Sequence, residues 1–453
     1  MGVFGALNTA VNGLQSQSYA LQNISGNIAN SQTTAYKSID TSFINMIPDL
    51  PPSAQTAGGV TAMSRPTNTV QGTIQNASVG TYMAISGDGY FAVKQATGTA
   101  GTTVQFGGTD LYTRRGDFSM DKNGYLVNGA GYYLEGVPVD PTTGNPVGSA
   151  VAPLQLGNSF LPATASTTIN YGANLPSYPK TTNADPTVPG SELIVPAGFA
   201  SDPTVAGGAN PVIGSDATTF LKESLDGGSV TAYDASGQAA NVQFRWAKTL
   251  NSPQTWNLFY QTDSTATGAT AAWNNVGTDF VFNSSGTLTS PSGSSVAMTG
   301  VTVDGISLGN LNLSLNGLTQ YADAGGAVTV NTLQQDGYPA GQLQTVSITK
   351  EGRIAGTFTN GKTVDLAEVP LMHFASPDNL KAMDGGAYAV TGDSGTPLPG
   401  ASGKIVGSSL EGSNADIADQ FTKLIVTQQA YSANTKVVTT ANQMTQDMLN
   451  MLR

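Results

Sequence analysis

The sequence predicts an α+β protein, mainly β, in which helices at the two chain ends pair as a coiled coil and nested all-β domains occupy the middle. At both ends, apolar residues recur at alternating steps of three and four, which is the spacing of a helical seam. Between the ends the chain consists of short alternating runs divided by Gly, Pro and Asn-Gly turns. Its 453 residues are enough for two or three domains.

The N-terminal helix is predicted over residues 1–36, a stretch without any charged residue or His. A solvated helix face normally carries ionic pairs, so this helix is predicted to contact other protein. Its apolar seam consists of Phe4, Leu7, Val11, Leu14, Leu21 and Ile28.

The C-terminal helix is predicted within residues 405–453. Pro is absent from residue 413 onward, so about 36 residues, or about 54 Å, can form one helix. Ser413 or Asn414 is the expected N-cap, and Asp416 and Asp419 suit the positive end of the helix dipole. The seam contains Ile417, Phe421, Leu424, Tyr431, Val438, Leu449 and Leu452, interrupted by the polar residues Gln428, Thr435, Asn442 and Thr445. Two ordinary amphipathic helices on a core are the alternative, but matching seams at both ends favour a pair.

Turn residues and shifts in composition predict six segments. They are an N-terminal helix of an inner domain (1–36), an extended connector (37–70), the first part of a β-domain (71–150), an inserted outer β-domain (151–341), the returning part of the first β-domain (342–404) and a C-terminal helix of the inner domain (405–453).

Composition excludes several classes of function. Without Cys there is no disulfide, thiolate metal site or Cys nucleophile, and the single His373 excludes a site built from several imidazoles. The net charge of −12 disfavours nucleic acid and anionic membranes as partners. We therefore predict no catalytic, metal-binding or cofactor-binding residues, no cofactor, no nucleic-acid partner and no membrane insertion. The N-terminus also lacks the pattern of a cleaved signal peptide.

Four local motifs are interpreted as structural. The Gly-rich loop Ser86–Tyr90 lacks the context of a phosphate-binding loop and predicts a tight turn. Asp121–Gly124 lacks the later ligands of a calcium loop and predicts a hairpin. The pair Arg114-Arg115 predicts a surface charge cluster or subunit contact rather than an anion site. His373, between apolar neighbours, predicts a core or edge histidine rather than a general base.

Several stretches resemble the bacterial rod, hook and flagellar axial protein family. Gly13–Lys37, which includes Asn27-Ile28-Ala29-Asn30, resembles the N-terminal signature of the family, and Gln71–Val93 with Tyr112–Asn128 resembles its first β-domain. Ile348–Phe374 resembles the returning half of that domain, and Gly403–Leu452 resembles the C-terminal helix. The motifs add Asn30 and Asn434 to the seam residues as predicted assembly positions, whereas residues 150–341 carry no motif that we can place.

The resemblance, strongest to the hook members, implies a non-enzymatic subunit of a helical tube. Such a subunit builds a curved, flexible hook that transmits torque as a universal joint and encloses an export channel. Its expected partners are further copies of itself, the rod, hook-cap and hook-filament junction proteins, and the flagellar type III export apparatus. Its expected location is the extracellular flagellum, reached without a cleaved signal peptide.

Two alternatives remain at this point. A distal rod or other axial subunit is one, although an inserted domain of this length is not expected there. A secreted β-rich adhesin or glycan-processing protein is the other, and it would need an exposed aromatic groove with close carboxylates. The alternation around Trp246 and Trp256 instead fits a sandwich core.

The two seams together offset only part of the conformational entropy lost when both ends become ordered. We therefore predict that the termini are mobile in the monomer and become ordered on polymerisation.

Overall fold

The computed structural model describes residues 3–46, 58–100, 103–141, 143–157, 159–205 and 207–451. The centre of the predicted connector, residues 47–57, and the seam residue Leu452 lie outside these ranges. The chain divides into two compact units, one formed by residues 1–159 with 343–453 and the other by residues 160–342.

The first unit contains two long helices, an N-terminal one, α1 (Val3–Ala29), and a C-terminal one (Ile417–Met451). The second unit contains one short helix (Ala217–Glu223), which lies between the two long helices in the sequence. In chain order the short helix is α2 and the C-terminal helix is α3. Single 3₁₀ turns lie at Pro196–Gly198, Pro377–Asn379 and Asp384–Gly386. The two long helices confirm the helical periodicity at both chain ends.

The strands before residue 160 are β1 (Ile39–Asn45), β2 (Val60–Pro66), β3 (Ile74–Asn76), β4 (Met83–Ser86), β5 (Tyr90–Ala100), β6 (Thr103–Phe106), β7 (Leu111–Thr113), β8 (Ser119–Met120), β9 (Leu126–Val127), β10 (Tyr132–Pro138) and β11 (Ala152–Pro153).

The strands of the middle region are β12 (Phe160–Leu161), β13 (Thr168–Pro176), β14 (Val212–Ile213), β15 (Leu225–Tyr233), β16 (Ala239–Asn251), β17 (Gln254–Gln261), β18 (Ala271–Phe282), β19 (Leu288–Ser290), β20 (Ser295–Val303), β21 (Ile306–Ser314), β22 (Thr319–Tyr321) and β23 (Thr329–Gln335).

The returning strands are β24 (Gly341–Ile348), β25 (Arg353–Phe358), β26 (Thr363–Glu368), β27 (Leu371–His373), β28 (Lys381–Met383), β29 (Ala387–Ala389), β30 (Leu398–Pro399), β31 (Lys404–Gly407) and β32 (Ser409–Glu411).

The β-domain of the first unit is built from both halves of the chain. Its main sheet has the order β24-β25-β26-β10-β5-β7-β29-β28, so three central strands from before the second unit are flanked on both sides by strands from after it. The short pairs β3-β32 and β4-β31 also join an early strand to a late one. Phe91, Phe118, Leu134 and Ile354 are among the side chains fully buried in its core.

The second unit is a β-sandwich. One sheet has the order β20-β21-β13-β22, and the other has the order β14-β18-β17-β16-β15. Tyr171 on β13 and Phe244, Trp246 and Trp256 on β16 and β17 share one buried core, which confirms that the alternating tryptophans are core residues. Ile194 and Phe199, from the loop-rich stretch before α2, pack into a smaller cluster with Phe220 of α2.

Three local expectations differ from the structure. The predicted connector contains an antiparallel hairpin, because Ile39 through Asn45 pair in register with Pro66 through Val60. The helix α2 lies in a region predicted to be all β. The N-terminal helix ends at Ala29 rather than near residue 36, because the Asn30 side chain donates to the Gly26 carbonyl (2.9 Å) and the chain turns there.

Candidate functional site: the terminal helix pair and its junction with the β-domain

The two terminal helices pack antiparallel along a face of small and polar side chains. Gly13 on α1 lies so close to α3 that a Cβ added there would be 2.9 Å from Asn434 Nδ2. Small residues allow two helix backbones to approach closely, which large residues at the same positions would prevent. The buried residues of this face are Ala10, Gly13, Ser16, Ala20, Ile24 and Asn27 on α1 and Gln420, Thr427 and Ala441 on α3.

The largest side chains of the predicted seams lie outside this interface, so the expectation that the two seams pair along their whole length is wrong. Phe4 is 71% exposed, Phe421 50% and Leu449 62%. The buried positions of α1 follow the same three-four spacing but start one residue earlier, which rotates the face by about 100°. We call the exposed large residues of the predicted seams the outer seam; they are Phe4, Val11, Ile417, Phe421, Tyr431 and Leu449.

The remaining predicted assembly residues are distributed between the two faces. Gln428 and Asn442 are exposed. The half-buried ones are Leu7, Leu14, Leu21, Ile28, Asn30, Leu424, Asn434 and Val438. Among them, Asn434 contacts the partner helix at Gly13, and Asn30 caps the end of α1.

A ladder of uncharged side chains fixes α1 to the β1-β2 hairpin. The helix positions are spaced by three, four and four residues, so they share one face. The four contacts are Ser16 Oγ to the Val60 carbonyl (2.9 Å), Tyr19 Oη to Ser64 Oγ (2.6 Å), Asn23 Nδ2 to Thr41 Oγ1 (2.9 Å) and Asn27 Nδ2 to the Ile39 carbonyl (3.0 Å). Part of the polar surface predicted to contact other proteins therefore contacts the chain's own hairpin.

Asn27 joins three elements at the base of the helix pair. The residue is 1% exposed, and its Oδ1 accepts bonds from the Ile39 amide (2.9 Å) and the Tyr36 hydroxyl (3.1 Å). Its Nδ2 also donates to Gln420 Oε1 on α3 (3.2 Å). Burial raises the pKa of Tyr36 above its ordinary 10.0, so its hydroxyl, a donor at neutral pH, also keeps its proton in more alkaline solution.

The prediction that Ser413 or Asn414 is the N-cap of α3 is wrong. Asp416 Oδ1 accepts the amides of Ala418 (2.7 Å) and Asp419 (3.1 Å), which makes Asp416 the cap. Asn414 instead accepts the Ser38 amide (2.7 Å) and donates to Thr67 Oγ1 (2.9 Å). Asn414 therefore connects the residue before β1 and the residue after β2 to the start of α3.

A buried charge cluster lies beside this junction. Lys37 Nζ is 2.6 Å from Glu411 Oε1, and Arg114 Nη1 is 3.7 Å from Glu411 Oε2. Burial lowers the pKa of Lys37, an effect that the Glu411 carboxylate opposes. The prediction of a surface cluster at Arg114-Arg115 is wrong for Arg114, which is 2% exposed because it lies against the Tyr90 ring. Arg115 forms a bidentate ion pair with Asp117, in which Nε and Nη2 donate to the two carboxylate oxygens.

The other three motifs have the expected local structures. Gly87 and Gly89 have positive φ values of 96° and 134° in the turn from β4 to β5. Asp121 Oδ1 accepts the amides of Asn123 (2.9 Å) and Tyr125 (2.8 Å) in the hairpin between β8 and β9. His373 lies exposed at the end of β27, consistent with an edge histidine.

Within the described residues, no group of three or more His, Asp or Glu side chains is placed to hold a metal ion. A helix long and apolar enough to cross a membrane is likewise not found in the described ranges.

Three models of flagellar protein families match the chain. They are described as "Flagellar hook protein FlgE/F/G D1 domain" (residues 84–171), "Flagellar basal body protein FlaE D2 domain" (216–338) and "Flagellar basal body rod FlgEFG protein C-terminal" (406–451). The second of these lies in the region where the sequence offered no recognisable motif.

Full-length relatives decide between the flagellar families. The chain is 30% identical to the flagellar hook protein FlgE of Brucella melitensis over 461 residues, which cover all of both chains. The chain belongs to the flagellar hook protein family. The hook protein FlgE of Salmonella typhimurium is 29% identical over 456 residues, which cover 98% of this chain and all of that one.

Membership of this family makes the chain a structural subunit of the bacterial flagellar hook. Among solved structures, the Helicobacter pylori flagellar hook protein FlgE2 matches with a TM-score of 0.47 and 16% identity, covering 74% of this chain and all of that one.

Proposed function

We propose that this hook subunit polymerises through its outer seam into a curved, flexible tube that transmits torque and encloses an export channel. The observation that carries the proposal is the exposure of large apolar side chains on helices that already have an intramolecular partner. Phe4, Phe421 and Leu449 lie on the terminal helices but outside their shared face. Apolar surface that stays exposed along a helix pair is typical of a site for further protein.

The partner that fits this surface is a second copy of the chain. Family membership supplies the argument for self-assembly, and the outer seam supplies apolar area on both terminal helices. We further propose that ordering of the termini is completed only on assembly, because burying the outer seam adds the apolar contacts that the monomer lacks.

The junction has a mechanical role in this proposal. Buried side chains of Asn27, Lys37 and Glu411 connect the helix pair to the β-domain through hydrogen bonds and an ion pair. Force applied to the helices in the tube therefore reaches the β-domain through short, buried contacts. We assign the flexibility of the tube to the contacts between copies. At these contacts the exposed polar residues Gln428 and Asn442 interrupt the apolar seam of α3.

The remaining partners and the location follow from the same proposal. The chain would contact rod, hook-cap and hook-filament junction proteins at the ends of the tube. It would leave the cell through the flagellar type III export apparatus, without a cleaved signal peptide, and act outside the cell. It acts as a structural protein and not as an enzyme, with no cofactor.

The inserted domain fits this role better than the adhesin alternative. The residues Trp246, Trp256 and Trp273 are buried rather than arranged along a surface groove. The rod alternative is not supported by the Brucella and Salmonella relatives, which match over almost the full chain and are hook proteins.

Electron microscopy of the purified chain tests the proposal. Under polymerising conditions the parent chain should form curved tubes, whereas the double variant Phe421→Ser, Leu449→Ser should remain soluble and folded. Leu398→Ser, at a 55% exposed apolar position in the β-domain, is the matched control and should polymerise. Tubes formed equally well by the double variant would overturn the proposed role of the outer seam.

A further inference from the structure

Lys94 lies between two carboxylates in the main sheet of the β-domain. Its Nζ is 3.0 Å from Asp110 Oδ1 and 3.1 Å from Glu135 Oε1. Lys94 is on β5, Glu135 is on β10, and Asp110 directly precedes β7; β5 pairs with both of the other strands. The amine is therefore in contact with one carboxyl group that it could attack and with a second that could move its protons.

Glu135 is the unusual member of this group. Its side chain is fully buried (0% exposed), and neither of its oxygens accepts a well-directed hydrogen bond among the described residues. Buried carboxylates are normally hydrogen-bonded, so a carboxylate left with a lysine contact alone is costly. Burial raises the pKa of Glu135, an effect that Lys94 opposes, which makes Glu135 a stronger base than an ordinary Glu.

The sheet face that carries Lys94 is apolar next to it. Ala92 lies two residues before Lys94, so the two side chains share one face, and Ala92 pairs with Tyr112 of β7. Both of these neighbours are buried, and burial raises the pKa of Tyr112 to about 12, so its phenol is neutral. Asp110, in contrast, is 46% exposed. One side of the site thus excludes water, and the carboxyl group of Asp110 reaches solvent.

We propose that Lys94 and Asp110 form an intramolecular isopeptide bond, with Glu135 as the catalytic acid and base. Contact between the amine and the carboxyl group within one folded chain replaces a bimolecular encounter, which is the main obstacle to such a reaction in solution. The bond forms once in each chain, so it is a maturation step of the subunit rather than an enzymatic activity. It depends on the β-domain alone and not on polymerisation.

The reaction starts from an ion pair. Burial lowers the pKa of Lys94, but the contacts with Asp110 and Glu135 outweigh this effect and raise the pKa overall, so Nζ is an ammonium at rest. Glu135 carries one proton from Nζ to the Asp110 carboxylate. This transfer leaves a neutral amine beside a neutral carboxylic acid, the forms that low-dielectric surroundings favour.

Bond formation then needs one more proton transfer. The Nζ lone pair forms the new bond to Asp110 Cγ, and Glu135 accepts a second proton from Nζ and donates it to the departing hydroxyl group. The Cγ–O bond breaks, and one water molecule leaves toward solvent. The ammonium and the carboxylate have become one amide and one water, Glu135 is unchanged, and no oxidant, reductant or co-reactant is required.

Mass spectrometry of the purified, folded chain tests the bond. The intact mass should be lower than the sequence mass by the mass of one water. An amide at Nζ also blocks cleavage by trypsin after Lys94. Cleavage by chymotrypsin at Phe106, between the two linked residues, should leave two segments that remain joined and fragment as one branched peptide.

Variants test the role of each group. Glu135→Gln should fold and remain largely unlinked, because general acid–base catalysis typically contributes about 10²–10⁴-fold to a rate. If Glu135→Gln does not fold, Asp110→Ala, a change at a half-exposed position, still tests the attacked carboxyl group and should have the sequence mass. Complete linkage in Glu135→Gln would contradict the catalytic role of Glu135, and the loss of one water in Asp110→Ala would show that another group is involved.

Lys423 is the matched control within the same sample. Its Nζ also lies between two carboxylates, 3.1 Å from Asp40 Oδ1 and 2.9 Å from Asp419 Oδ2, but both of these side chains are exposed. Trypsin should therefore cleave after Lys423. A folded parent chain that has the sequence mass and is cleaved after Lys94 would overturn the proposal, as would equal linkage at Lys423, which would show that no buried acid is needed.

Discussion

Lys37 and Glu411 form a buried ion pair with 2.6 Å between Nζ and Oε1, although 374 positions separate them in the sequence. Lys37 also donates to the Val70 carbonyl (2.7 Å), and Glu411 accepts the Gly72 amide (2.8 Å). The pair therefore joins the segment after α1, the strand before α3 and the start of the β-domain. This is the point at which the helix pair and the β-domain become one unit.

Removing the charge of Glu411 should destabilise the first unit strongly. Glu411→Gln leaves Lys37 and Arg114 as buried cations without a carboxylate, so the free energy of unfolding should fall by about 3–5 kcal/mol in urea denaturation. The double variant Lys37→Met, Glu411→Leu should recover part of this loss, because it also removes the Lys37 charge and leaves Arg114 as the one cation of the cluster without a carboxylate.

Lys423 provides the control for that experiment. It pairs with Asp40 and Asp419 at the surface, where side chains are 43–55% exposed, so Lys423→Met should cost less than about 1 kcal/mol. A cost of Glu411→Gln as small as that of Lys423→Met would contradict the assigned role of the buried pair.

Ala35 and Ala20 should respond differently to the same substitution. Both are almost completely buried, but Ala35 has a left-handed φ of 56° whereas Ala20 lies within α1. Each glycine variant loses one buried methyl group. Ala35→Gly also relieves backbone strain and Ala20→Gly loses helix propensity, so Ala20→Gly should be less stable by about 2 kcal/mol or more. Equal unfolding free energies of the two variants would show that Ala35 is unstrained.

Lys248 makes the stability of the second unit depend on pH. Its side chain is buried and donates to the Ser177 carbonyl (2.7 Å), and burial lowers its pKa to about 8 from the ordinary 10.5, an effect that Glu192 opposes. Above pH 8 the unfolded chain binds this proton and the folded chain does not. The free energy of unfolding should therefore rise with pH from about 8 to 10.5, by up to about 3 kcal/mol.

Tryptophan fluorescence reports the unfolding of the second unit separately, because this unit contains all three Trp residues, Trp246, Trp256 and Trp273. Burial also raises the pKa of Tyr171, which lowers stability at higher pH, so measurements between pH 7.5 and 9.5 are the informative ones. Lys248→Met should remove the rise. A parent chain whose unfolding free energy is constant over this range would contradict the prediction.

The polar interruptions of the α3 seam should control the bending of the tube. Replacing Gln428, Thr435 and Asn442 with Leu gives neighbouring copies more apolar contact and raises the cost of small axial shifts. Tubes of the triple variant should be straighter and have a longer persistence length in electron micrographs. Unchanged curvature and persistence length would contradict the proposal that these three residues control the bending of the tube.

The helical period at both ends was predictable, but the face that forms the pair was not. Large apolar residues such as Phe4 and Leu14 define the most visible seam in the sequence. The interface uses Ala10, Gly13 and Ala20, which repeat with the same spacing one residue earlier. Burial of small residues depends on close backbone approach, and that geometry is set by the partner helix rather than by the pattern of one helix.

The junction was missed for a different reason. Lys37 and Glu411 each stand within a motif that the sequence singled out, but nothing in their local pattern indicates that they meet. A usable signal was that Lys37 is the first charged residue of the chain. The alternation around Trp246, in contrast, was sufficient to predict its burial, because a strand with one buried face shows that face at every second residue.

Amide hydrogen exchange of α1 and α3, compared between the dilute chain and the assembled tube, tests the central claim most directly. The claim is that these helices become fully ordered only when other copies cover the outer seam. We predict rapid exchange in the parts of both helices distant from the junction, residues 3–13 and 434–451, in the dilute chain, strong protection in the tube, and a protected second unit in both states. Full protection of α1 and α3 already in the dilute chain would contradict the claim.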